Sequence, residues 1–225
     1  MINWSAHNYI DQSIKENMAR TKGATNKDSA DRKREILDGI WKAMRESGGK
    51  PLSWREMAVA GGVGPATLSH HFGKRDDVVS AVLKAKRQEG AEPLHILAEP
   101  SSSDVEQSLN DALAHILVGL TQYDVGDLVG LGLAEGMYHD IIGPLFVRDG
   151  LEPILAGVEQ RLKAHEARGD IPTGKNLRHA AIILAGPVLL TYAHQHPLRG
   201  QSDYPTQLGD LAKQSAETAA LFLTT

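Results

Sequence analysis

Apolar residues recur three and four positions apart along most of this chain, and nowhere do they alternate strictly as in a strand. Ile36, Leu37, Ile40, Trp41 and Met44 predict a helix over 31–47, stopped by Gly48-Gly49. A short helix opens at Ser53, turns Met57 and Ala58 inward and ends at Gly61-Gly62. Pro65 opens another, running to His71 and broken at Gly73. Val78, Val79, Val82 and Leu83 stripe a third helix that continues to about Glu89. Pro93 and the stretch Glu99 to Ser103 then punctuate the chain. Helices follow over 104–120, where Val105, Leu109, Leu113, Ile116 and Leu117 share a side, and over 124–139, 143–167, 175–194 and 204–223. The clear stop among them is Gly169-Asp170-Ile171-Pro172. The fold class expected is all-α.

Residues 53–78 carry the most local detail. Ser53 and Glu56 have capping-box spacing. Glycine at 61 and 62 suits the left-handed turn that ends a helix. Val63 is the apolar plug of the turn, and Pro65 fits a first helical turn, where no N–H is needed. Asp76 and Asp77 face the positive end of the following helix. Two short helices joined by a tight turn, with a third behind, make a helix-turn-helix, which lays its second helix in a DNA major groove.

Ser53, Met57-Ala58, Gly61-Gly62-Val63-Gly64, Thr67-Leu68, His71-Phe72 and Gly73-Lys74-Arg75-Asp76-Asp77 follow one another without a gap. This run resembles the DNA-binding domain of the TetR family of bacterial repressors. Gly64 and Ser69 stand where that family usually has Ser and Tyr, which cap the recognition helix and touch a phosphate. The resemblance implies a three-helix DNA-binding domain over 31–90, a helical regulatory and dimerisation domain over 91–225, and a polar, basic extension over 1–30. It also implies a homodimer on a palindromic double-stranded operator, a small-molecule effector that releases it, and repression as the outcome. Leu133-Ala134-Glu135-Gly136 and Ala185-Gly186-Pro187 resemble the family's second domain more loosely.

Chemistry then assigns roles. Thr67 and His70 are the candidates for base reading, since hydroxyl and imidazole reach base edges or a thymine methyl. Ser53, Arg55, Pro65, His71, Lys74 and Arg75 complete the candidate DNA surface, with Lys74 and Arg75 on phosphates and Arg32 to Arg34 on the backbone nearby. Trp54 lies against sugar-phosphate or packs in the core. In the family the effector sits in a cavity between the middle helices; the residues placed there are His115, Leu131, Glu135, Tyr138, His139, Phe146 and Tyr192. Glu135 stands out, because a carboxylate in an apolar helix needs a cationic partner, an Arg, a Lys or the ligand itself. The family's last two helices form the dimer interface, here Ile182, Ile183, Leu189, Leu190, Leu208 and Leu211, with Leu221.

Charge supports the division. Residues 1–90 hold 16 Lys+Arg against 11 Asp+Glu, a balance of +5, and residues 91–225 hold 8 against 17, a balance of −9. The net of −4 thus hides a basic segment suited to phosphates. With 41% hydrophobic and 23% charged residues the composition is that of a globular protein. No run of about 18 apolar residues predicts a membrane span, and the N-terminus lacks a secretory pattern. The absence of cysteine fits a reducing cytoplasm. No cofactor and no enzymatic activity are expected. Rival readings are a DNA binder without an inducer and, less favoured, a histidine-dependent metal protein or enzyme. His139-Asp140 and His194-Gln195-His196 lack the spacing of four that puts two ligands on one helical face.

Overall fold

The computed structural model describes residues 29–48, 50–89 and 91–225. Among these, every regular element is a helix: α1 over 29–46, α2 (Trp54–Ala60), α3 (Pro65–Phe72), α4 (Arg75–Glu89), α5 (Ala91–Ala98), α6 (Val105–Gln122), α7 (Val125–Gly136), α8 (Ile142–Phe146), α9 (Glu152–Arg168), α10 (Leu177–Gln195) and α11 (Leu208–Thr224).

Two apolar cores organise them. Helices α1 to α4 close around Ile36, Ile40, Met57, Leu68, Val79 and Val82, and Ile142 of α8 plugs the same core from the other side. Helices α6, α9, α10 and α11 build the larger core around Leu109, Leu113, Val158, Leu162, Leu184 and Leu223. The face of α11 toward α6 is alanine (Ala212, Ala216, Ala219, Ala220), and small side chains let the two helices pack closely. Arg161 is buried in this part. It donates to the Ile96 and Leu97 carbonyls, to the Ser108 carbonyl and hydroxyl, and to the Ser101 hydroxyl, which satisfies the open C-terminal end of α5. Burial lowers its pKa from the usual arginine value.

Several boundaries differ from the sequence expectation. The helix expected over 143–167 is interrupted by a π turn over Val147–Leu151. Pro153 has no N–H to close an α-turn onto Asp149, so the chain widens just ahead of it. Pro93 lies within the first turn of α5 rather than outside a helix, a place where a missing N–H is harmless. α11 starts four residues later than expected, because the Gln195 carboxamide donates to the Tyr204 carbonyl at 2.8 Å and accepts from the Thr206 amide at 3.0 Å. The polar, basic extension expected over 1–30 lies outside the described residues, save for its last two positions, which begin α1.

Candidate nucleic-acid interface

The helix-turn-helix is built by short-range bonds. The Ser53 amide donates to the Glu56 carboxylate at 2.7 Å, and the Glu56 amide donates to the Ser53 hydroxyl at 3.4 Å. The Ser53 hydroxyl first, and the Ser53 amide with it, hold the Glu56 carboxyl below the usual carboxylate range. Gly62 has φ +63° and open space where a Cβ would stand, so glycine is there for its backbone angle alone. The Val63 amide closes the turn onto the Ala58 carbonyl at 3.0 Å. Arg32 braces the same turn by donating to the Gly62 carbonyl at 3.3 Å.

α3 then stands out from the bundle. Leu68 is fully buried and anchors it, while Pro65, Ala66, Thr67, Ser69 and His70 are exposed. Its N-cap, Gly64, supplies no side-chain bond. Arg55 and Lys74 are exposed beside it; the Lys74 amide is held by Asp77 at 2.8 Å, leaving the ammonium outside. His71 is half-buried between the His70 and Phe72 rings. The exposed cations and polar side chains of α2, α3 and the following turn thus share one continuous stretch of the fold.

Arg75 is the exception. Its Nε donates to the Leu52 carbonyl at 2.8 Å, and its two terminal nitrogens grip Glu135 at 2.7 and 2.5 Å. Glu135, on α7, is 1% exposed. In the free chain the guanidinium that was expected on a phosphate instead answers a carboxylate in an apolar helix, and its planar fork fits both oxygens. The bond to Glu135 raises the Arg75 pKa further. Glu135, held by Arg75, is not left waiting for a cationic ligand. His139 lies 3.6 Å from Glu135 and 3.7 Å from Asp76, beside this pair.

A second tie joins the same two parts. Asp124, between α6 and α7, accepts from the Trp41 indole at 2.7 Å and pairs with Arg45 at 3.2 Å and Lys86 at 3.8 Å. The helix-turn-helix bundle is thus fixed to α7 at two points.

Two openings lie behind it. One, of about 390 Å³, is mostly apolar, with Leu97, Ile116, Leu128, Phe146 and Ile154 in its wall and His115 beside them. α4 enters this wall through Lys86 and Arg87. Arg87 pairs with the buried Asp149 at 2.8 Å. Arg148 first, and Arg87 with it, holds the Asp149 carboxyl below the usual range. The other opening, about 730 Å³, lies between α1, α7 and the α10–α11 turn, and takes Leu131, Tyr138 and Tyr192. The residues expected to share one pocket are therefore divided: His115 and Phe146 line the first, Leu131, Glu135, Tyr138 and Tyr192 border the second, and His139 lines neither. Lys50, Met137, Leu198 and Arg199 of the second opening were not legible as site residues.

Of the expected interface residues, Ile182, Ile183 and Leu190 are exposed on α10, joined by Leu221 and Phe222 on α11. Leu189 and Leu208 instead pack on their own core, and Leu211 is half-buried. Among the described residues no three His, Asp or Glu side chains converge on a metal site. His194 bonds Gln195, and His196 lies against Tyr192. No single described helix is long and apolar enough to cross a membrane.

No family model matches the sequence, and no curated protein does. Solved structures do match. A structure assigned to the TetR family of transcriptional regulators, from Mesorhizobium loti, superposes with a TM-score of 0.70 at 17% identity, covering 88% of this chain and 98% of its own. A TetR transcription regulator from Haloarcula marismortui gives 0.65 at 20%, covering 87% and 100%. One from Agrobacterium tumefaciens gives 0.61 at 18%, covering 86% and 95%. At such identities the likeness speaks for architecture, and the chain has the TetR-type regulator fold.

Proposed function

We propose that the protein is a dimeric DNA-binding transcriptional regulator, a repressor whose α3 reads base edges in the major groove. The observation that carries this reading is the exposure of α3: Leu68 anchors it, and Pro65, Ala66, Thr67, Ser69 and His70 project from a rigidly turned bundle whose α2 is capped. Lys74 and Arg55 flank it as phosphate contacts, and Thr67 and His70 supply base contacts. The exposed apolar strip of α10 and α11 is the dimer surface, which gives the two recognition helices their spacing.

An apolar effector occupies the 390 Å³ cavity. Its charged wall residues are already paired with one another, which favours a compact, uncharged molecule over an ion. Because α4 lines this cavity at one end and follows α3 at the other, an occupant that displaces α4 re-aims α3 and weakens operator binding. Selection from a pool of random duplexes tests the DNA reading. Enrichment of a palindrome with two half-sites is the expected result, and a pool that stays random after repeated rounds would overturn it.

A further inference from the structure

The larger opening carries chemistry that the proposed effector cavity lacks. Its wall is aromatic and apolar, with Trp41, Met44, Leu131 and Tyr192 inside and Met137, Tyr138 and Leu198 exposed at the rim. Large apolar side chains left in water around a concavity mark a binding surface. Its two carboxylates are engaged, Asp127 by Arg45 at 2.5 Å and Glu135 by Arg75. Its other cations are held less closely: among the described residues neither Lys50 nor Arg199 has an ion-pair partner within 4.0 Å, although both line the opening and Lys50 acts through space on Glu56. The uncommitted charge there is positive.

Two further details point inward. Arg199 is, among the described residues, the one non-glycine with a left-handed backbone, at φ 60°. A bulky residue there is uncommon, and such strain gathers at ligand clamps. The turn directs its guanidinium across the opening, where a terminal nitrogen lies 3.4 Å from where a Cβ on Gly48 would stand. Tyr192 is 8% exposed, and its ring lies against His196 at 4.5 Å, yet its hydroxyl has no hydrogen-bond partner among the described residues. Burial first, and Asp127 second, pushes that hydroxyl's pKa up, so it remains a donor. The hydroxyl stands against Gly126 in the wall of the opening, where an acceptor on a ligand would take its hydrogen bond.

We propose that this opening is a second ligand site, for a small aromatic carboxylate held by Arg199, Lys50 and the Tyr192 hydroxyl, its ring between Trp41 and the rim residues. Two cations and one hydroxyl donor fit an anionic head, and an aromatic wall fits a flat body. The walls come from α1 on one side and from α7 and the α10–α11 turn on the other, so an occupant acts as a strut between the helix-turn-helix bundle and the rest. The site requires neither DNA nor an occupant in the 390 Å³ cavity.

The test is calorimetric titration of the full chain, free of DNA, with 2-naphthoate and with its neutral amide, 2-naphthamide. The carboxylate binds one per chain and the amide at least about tenfold more weakly, the loss expected when a charge-assisted bond is removed. Arg199→Gln, Lys50→Gln and Tyr192→Phe each weaken naphthoate by about tenfold while the ligand-free melting temperature stays put. Absence of binding at millimolar naphthoate overturns the proposal. So does equal binding of the amide, or binding that all three substitutions leave unchanged, which would locate the ligand elsewhere.

Discussion

Replacing Arg75 with alanine leaves the Glu135 carboxylate, 1% exposed, without its two guanidinium bonds. His139, 3.6 Å away, is too distant for a hydrogen bond. Removing one partner of a buried ion pair costs about 3–5 kcal/mol, mostly the penalty of the stranded charge. Arg75 itself is 23% exposed, which places the expected loss near the lower end, about 3 kcal/mol. For a chain of this size that is a fall in melting temperature of roughly 6–12 °C. Urea unfolding at fixed protein concentration measures it, because the stability of the proposed dimer would depend on concentration. The double variant Arg75→Leu with Glu135→Leu removes both charges and regains most of the loss, since apolar replacement of a buried pair is often neutral. The same variants discriminate on DNA. Arg75→Ala leaves the slope of log affinity against log salt unchanged, whereas Lys74→Ala reduces it by about one unit. A stability loss below about 1 kcal/mol would show an ordinary surface pair. A slope reduced by one in Arg75→Ala would show that the guanidinium leaves Glu135 for a phosphate.

Ser53→Ala removes the hydroxyl of the capping box and should cost about 1 kcal/mol in denaturant unfolding, with a parallel loss of DNA affinity as α2 frays. Asp149 contributes through a depressed carboxyl pKa, so its stabilisation is present above the unfolded value of about 4 and is lost as pH falls through the lower folded value. The stability gap between the native chain and Asp149→Asn should therefore be constant near neutrality and narrow in acid, as urea melts at a series of pH values would record. Ile183→Glu places a charge in the exposed strip of α10; sedimentation should show the native chain as a dimer and this variant as a monomer with an unchanged helical spectrum.

What the sequence disclosed was local. Ser53, Glu56, Gly62 and Pro65 act on neighbours within a few residues, so their spacing alone fixes the capping box, the turn and the start of α3. Arg75 and Glu135 were each conspicuous, a cation in a basic stretch and a carboxylate in an apolar helix. Their partnership spans 60 positions, and no periodicity reports which cation answers which acid. The interruption at Val147–Leu151 was hidden for a similar reason: apolar spacing continues through it, and only Pro153 hints that the backbone must widen. Nothing in the spacing around Arg199 or Lys50 singles either residue out. Their meaning comes from the α10–α11 turn folding back onto the end of α1, a tertiary event. The split of the expected pocket residues between two openings follows from the same geometry, since α7 presents Val129 to one side and Leu131 and Tyr192's neighbour Gly126 to the other.

The central claim is that α3 reads base edges. It is tested most directly by the ratio of affinities for the selected duplex and a scrambled duplex of equal length and salt, measured for the native chain and for Thr67→Ala. The native ratio should reach about a thousandfold or more, and Thr67→Ala should lower it at one base position with little change in scrambled-duplex affinity. A native ratio near one, or a Thr67→Ala variant that weakens both duplexes equally, would contradict the account.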